Sequence, residues 1–114
     1  MILVVRAEFQ SPFDEGFIFV SHLPDLDEID KSSIEEIFAR TYLKIKRVVK
    51  QDAKLKVAFR QSQKDGLRRK TMVHIRFFGA GFSINASSED WKVLLAAKEA
   101  ARTLEAEARS RFRK

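Results

Sequence analysis

The sequence predicts an α+β domain. Two helices pack on one face of an antiparallel sheet of four to five strands, its edge open to mixed pairing, in the order β-(β)-α-β-β-β-α. Three observations predict it. Segments 54–60 and 72–78 alternate apolar and polar residues, as half-buried strands do. Segments 34–48 and 93–108 instead repeat apolar residues at helical spacing. Turn chemistry separates the segments, and no repeat, low-complexity tract or linker divides residues 1–114, so one domain is expected.

Taken in order, "ILVVRAEFQ" (2–10) is an apolar run rich in strand formers. "SPFDEG" has the composition of a turn, and "FIFV" (17–20) suits a second short strand hairpinned back on the first. "SHLPDLDEID" reads as an acidic loop broken by Pro24. The first helix is expected to start at Ser32 or Ser33, each with a Glu three residues on (Glu35, Glu36) to complete a capping box. Ile34, Ile37, Phe38, Thr41, Ile45 and Val48 form its core face, with Arg40, Lys44 and Arg47 on a neighbouring stripe.

Leu55, Val57 and Phe59 point one way along the next strand, and Lys54, Lys56, Ala58 and Arg60 the other. "SQKDGLRR" is a polar link with an Asp-Gly turn signal. Val73, Ile75 and Phe77 face the core, leaving Met72, His74, Arg76 and Phe78 outside. "GAG" allows a tight turn, and Phe82, Ile84 and Ala86 point inward beyond it. The second helix is expected to start at "SSEDW", capped by Ser87 or Ser88, with Glu89 and Asp90 in its first turn and a length near 24 residues, about 36 Å. Val93, Leu94, Ala97, Ala101, Leu104 and Ala108 are its buried stripe; Lys98, Arg102, Arg109 and Arg113 share an adjoining face.

Charge is distributed unevenly. Residues 1–38 hold two basic and nine acidic side chains, a net −7, whereas residues 39–114 hold twenty and seven, a net +13. A basic body of this kind points to a polyanion, most often nucleic acid. The chain has no cysteine, which fits a reducing compartment, and no apolar run of membrane-spanning length or signal-peptide pattern. A soluble, cytoplasmic protein is expected, with no membrane partner.

Catalytic chemistry is sparse. His22 and His74 are the two histidines, and they do not bring the ligand spacing of a metal site. "DLDEID" lacks the spacing and glycine of a calcium-binding loop, and no glycine motif cradles a phosphate. No enzyme activity, cofactor, metal or small-molecule substrate is expected. The basic groups form four clusters: Arg40, Lys44 and Arg47; the strand face with Arg76; the hairpin mouth Arg68, Arg69 and Lys70; and Lys98, Arg102 and Arg109. Arginine suits phosphate because its planar fork donates two parallel hydrogen bonds. Each cluster alone reads as a solvated face; together they point to RNA. Most phenylalanines fall at inward positions, with Phe78 and Trp91 better suited to core or edge packing than to stacking. That favours folded RNA read by backbone and shape over single-stranded bases.

"LRRKTMVHIRFFGAGFSINASSEDW", followed by "LLAAKEAARTLEAE", resembles the ribosome hibernation promoting factor family, the ribosome-associated translation inhibitors. "IEEIFARTYLKIKRVVKQDAKLKVAF" matches in order and charge, so the resemblance covers roughly residues 32–110. The topology also looks like that of double-stranded-RNA-binding domains. The resemblance implies a non-catalytic factor on the small ribosomal subunit, between head and body near the decoding centre, holding ribosomes idle under stress. It carries ribosomal-RNA contact to Lys44, Arg47, Arg68, Arg69, Lys70, Arg76, Lys98 and Arg102.

Two features depart from the family pattern. About 22 residues separate the strand at 2–10 from the expected helix, where family members have a short turn. The chain also stops soon after the second helix, as a short form without the C-terminal domain that pairs ribosomes would. The residues leave two further readings open. One is a general binder of structured RNA; the other is an adaptor that docks a protein through the acidic segment 11–31.

Overall fold

The computed structural model describes residues 18–21, 26–64 and 68–112, with the backbone alone at 19, 62–64, 68 and 69. Among the described residues, six elements run β1 (Ile18–Ser21), α1 (Glu28–Val49), β2 (Ala53–Lys64), β3 (Arg68–Gly79), β4 (Phe82–Asp90) and α2 (Val93–Phe112). They form a four-stranded sheet in the order β1-β2-β3-β4. The predicted strand at 2–10 and the turn at 11–16 lie outside the described residues.

The long meander follows from alternation. Strands β2 and β3 pair antiparallel from Ala53↔Gly79 to Lys64↔Arg68. Their odd-numbered side chains Leu55, Val57, Phe59, Val73, Ile75 and Phe77 are all buried in the core. Ile84 and Ala86 extend that face onto β4, as the alternation predicts. Thr71 is a buried polar side chain, and its hydroxyl accepts a hydrogen bond from Gln61 Nε2 at 3.4 Å. At the tight turn, Gly81 has φ +85°, a conformation open to glycine.

The "FIFV" strand is present at residues 18–21, and its expected hairpin with the strand at 2–10 lies outside the described residues. This strand pairs with β2 in parallel, Ile18 opposite Leu55 and Val20 opposite Val57, so the sheet is mixed at this edge. A parallel neighbour needs a crossover, and α1 supplies it.

The cap of helix α1 lies five to six residues earlier than the serines suggest. Asp27 is its N-cap: Oδ1 accepts the Asp30 N–H at 2.8 Å, and Lys31 N–H reaches Asp27 O at 3.0 Å. Aspartate caps as well as serine, and Glu28 and Asp30 add carboxylates where the helix dipole is positive. Ser32 and Ser33 therefore lie within the helix, and residues 22–27 alone separate β1 from α1. Within the acidic segment 11–31, residues 18–21 are thus strand and 28–31 the first turn of the helix, and the rest, apart from Leu26 and Asp27, lies outside the described residues. The helix ends at Lys50, left-handed at φ 61°, whose N–H bonds Lys46 O at 2.8 Å.

The second helix begins later than expected. Residues 87–90 are strand, with Ser87 opposite His74 and Asp90 opposite Thr71. Strand β3 is long enough to offer them ladder partners, and those backbone bonds prevail over a serine cap. Asp90 instead accepts the Lys92 N–H at 3.0 Å, and Ala96 N–H bonds Lys92 O at 3.1 Å to close the first turn. The helix has 20 residues, about 30 Å.

Both helices cover the same face of the sheet. Ile34, Phe38, Ile45, Ala97, Ala100, Leu104 and Ala108 join the sheet's inward side chains in one core. On α1, Ala39, Tyr42 and Val49 are buried beyond the predicted stripe, because that helix packs on both the sheet and α2. The Tyr42 hydroxyl donates to Ala53 O at 2.9 Å, tying α1 to the start of β2. Among the described residues, no helix is long and apolar enough to cross a membrane.

Candidate nucleic-acid interface

The predicted basic residues separate onto two surfaces. The first is the solvent side of the helix pair. Helical spacing places Arg40, Lys44 and Arg47 on the α2 side of α1, and Lys98, Arg102 and Arg109 on the α1 side of α2. All six are exposed. Arg40 and Lys98 line one groove of about 240 Å³ with Ser33, Glu36, Ile37 and Leu94. Farther along, Thr41 Oγ1 donates to Glu105 Oε2 at 3.4 Å, a contact between the two helices. The two stripes, separate in the sequence, are the rails of one furrow.

Carboxylates accompany half of these rails. Arg40 pairs with Glu36 at 2.6 Å, Arg102 with Glu99 at 3.3 Å, and Arg109 with Glu105 at 3.9 Å. The first two pairs are exposed and contribute little to stability, so they yield readily to a stronger anion, whereas Glu105 is mostly buried beside Thr41. Lys44, Arg47 and Lys98 make no ion pair among the described residues. Their charge is uncompensated locally and is the strongest part of the furrow for a phosphate backbone.

The second surface is the open face of the sheet, on the side away from the helices. Strand pairing sets its outward residues in rows: Lys54, Phe78, Ser83; Lys56, Arg76, Asn85; Ala58, His74, Ser87; Arg60, Met72, Glu89. Lys70 follows at the hairpin end, opposite Ser62. Arg76 Nε donates to Ser83 Oγ at 3.1 Å, and its guanidinium lies 4.9 Å from the Phe78 ring centre. Lys70 Nζ stands 5.3 Å from the Trp91 ring centre and 4.0 Å from Glu89. Neither Phe78 nor Trp91 belongs to the core cluster.

Arg68 and Arg69 lie in β3 opposite Lys64 and Gln63, so the backbone gathers further cations at the hairpin end. Arg76 and Lys70 are thus on the opposite side of the sheet from Arg40, Lys44, Arg47, Lys98, Arg102 and Arg109. Sequence reasoning placed Lys54, Lys56 and Arg60 on the outward face of β2 but did not single them out. Their alternation with Leu55, Val57 and Phe59 was the available signal. Among the described residues, no group of three or more His, Asp or Glu side chains is placed to hold a metal ion.

No protein-family model matches the sequence, and no curated protein matches it. Solved structures do match in fold. The N-terminal domain of Thermus thermophilus Protein Y superposes with a TM-score of 0.53 at 22% identity, covering 84% of this chain and 94% of that one. A ribosomal subunit interface protein from Coxiella burnetii gives 0.54 at 16% identity, covering 85% and 96%. Both neighbours are hibernation-factor family members, the family that the order of sequence motifs resembles. At these identities the likeness is one of fold.

Proposed function

We propose that this chain is a non-catalytic ribosome-binding factor of the cytoplasm, which docks on small-subunit ribosomal RNA near the decoding region and silences translation under stress. The observation that carries the reading is the cationic furrow between α1 and α2, on a fold shared with a ribosomal subunit interface protein. Fold alone does not determine function. The furrow adds the chemistry that a ribosomal partner requires: two parallel rows of guanidinium and ammonium groups to neutralise phosphates and release their counterions. The hairpin cations Arg68, Arg69 and Lys70 extend the contact beyond the furrow.

The test is sedimentation with separated ribosomal subunits at low and high salt. Stoichiometric pelleting with the small subunit, lost as salt rises, is the expected result, together with competition by transfer RNA and stoichiometric arrest of translation in vitro. The variant combining Lys44→Ala, Arg47→Ala and Lys98→Ala should bind less tightly. Its salt slope should be shallower by roughly one per phosphate contact removed. Unchanged binding by that variant counts against the furrow. Equal displacement by a plain RNA duplex would make the chain a general binder of structured RNA.

A further inference from the structure

We infer that the open face of the sheet is a separate binding surface for single-stranded RNA. Four observations on that face support it; of its residues, Lys70 alone also enters the proposed contact with the ribosome.

The first is charge. Lys54, Lys56, Arg60, Lys70 and Arg76 share the outward positions of β2 and β3, where Glu89 is the carboxylate among the described outward residues. Lys56 and Arg60 make no ion pair among the described residues. The second is ring placement. Trp91 is 39% exposed beside Lys70, and Phe78 is half-buried under Arg76, toward opposite ends of the face. Lys70 to Phe78 spans eight strand steps, roughly 27 Å. Single-strand sites combine these elements, a cationic track along the backbone and rings or guanidinium planes on which bases stack.

The third observation is a recess. A cleft of about 590 Å³ opens where the face ends, lined by Lys54, Phe78, Gly79, Tyr42, Lys46 and Asp52. That volume suits one nucleotide. Tyr42 is a fixed wall, held by its hydroxyl on Ala53 O. The fourth is polarity. Between the two rings lie His74, Asn85 and Ser87, exposed polar groups able to bond base edges in the middle of the track. A duplex buries its base faces and gains nothing from the rings, so an unpaired strand is the partner that uses the whole surface.

Trp91 is the only tryptophan in the chain, so its fluorescence reports on this face. Decanucleotides of adenosine and of uridine are the probes, with the adenosine–uridine duplex as competitor. Both single strands should quench Trp91, and the duplex should displace them poorly. The variant Lys70→Gln with Arg76→Gln changes side chains outside the core and should keep the wild-type unfolding midpoint. It should lose about tenfold in affinity, as should Phe78→Leu, through loss of a stacking platform. The furrow variant Lys44→Ala, Arg47→Ala, Lys98→Ala should retain quenching. Absence of quenching and of binding heat would overturn the proposal. So would duplex displacement as effective as that by single strands, or loss of quenching in the furrow variant alone. The proposal does not rest on the ribosomal reading. Quenching without sedimentation leaves this surface standing and removes that function, and sedimentation without quenching does the reverse.

Discussion

Single residues decide where the helices start and how closely the chain closes on itself. Asp27 holds the first turn of α1 through its bond to Asp30 N–H. Asp27→Ala should therefore destabilise the protein by about 1 kcal/mol, measured by denaturant unfolding. Ser33→Ala, at the position that the capping-box pattern favours, should stay within roughly 0.5 kcal/mol. Gly79 is restricted by space. A Cβ there would come within 2.6 Å of both Asp52 O and Phe82 Cε1. Gly79→Ala should cost roughly 1–3 kcal/mol, because the backbone neighbour cannot rotate away. Asp-x-x-Asp at 27–30 is as good a cap as Ser-x-x-Glu at 32–35 or 33–36. Local chemistry thus offered α1 several starts, and the packing of Leu26 against the core accompanies the earlier one.

At the level of elements, the interface between α2 and the sheet rests on small side chains. Ala96, Ala97, Ala100, Ala101 and Ala108 are buried and let the helix approach the sheet closely, with Leu104 as the large side chain among them. Leu104→Ala should lower stability by about 2–5 kcal/mol, read from the shift in unfolding midpoint, since it removes most of a fully buried side chain from the core. Arg111 Nη1 donates to Ser83 O at 2.8 Å, so the end of α2 also covers a carbonyl of the edge strand β4. The strands β2 and β3 were legible because their alternation leaves one face apolar throughout. The start of α2 was not, because "SSED" can cap a helix or continue a ladder. Only the length of β3, set by its hairpin with β2, decides between the two. The parallel edge was legible as a strand but not in direction, since four residues of "IFVS" carry no information about their neighbour.

Across the whole molecule, the sequence pattern identified the cations but did not assign them to sides. Arg76 and Arg40 look alike in composition; the sheet between them is what makes them parts of different surfaces. The furrow was nearly readable, because both stripes border core positions at helical spacing, and only the packing of α1 beside α2 was missing. Salt should expose the difference between the two surfaces. Binding through the furrow and hairpin should fall steeply with salt, whereas stacking at Phe78 and Trp91 should leave a residual affinity for single strands. The mixed edge also bears on the order of assembly. The meander of β2, β3 and β4 joins segments adjacent in the chain, while β1 and β2 are separated in the chain by α1. Contacts between distant segments are made late, so β1 should dock last and open first. Hydrogen exchange should find its amides less protected than those of β3, and a transient gap beside β2 then opens a sheet edge to proteases.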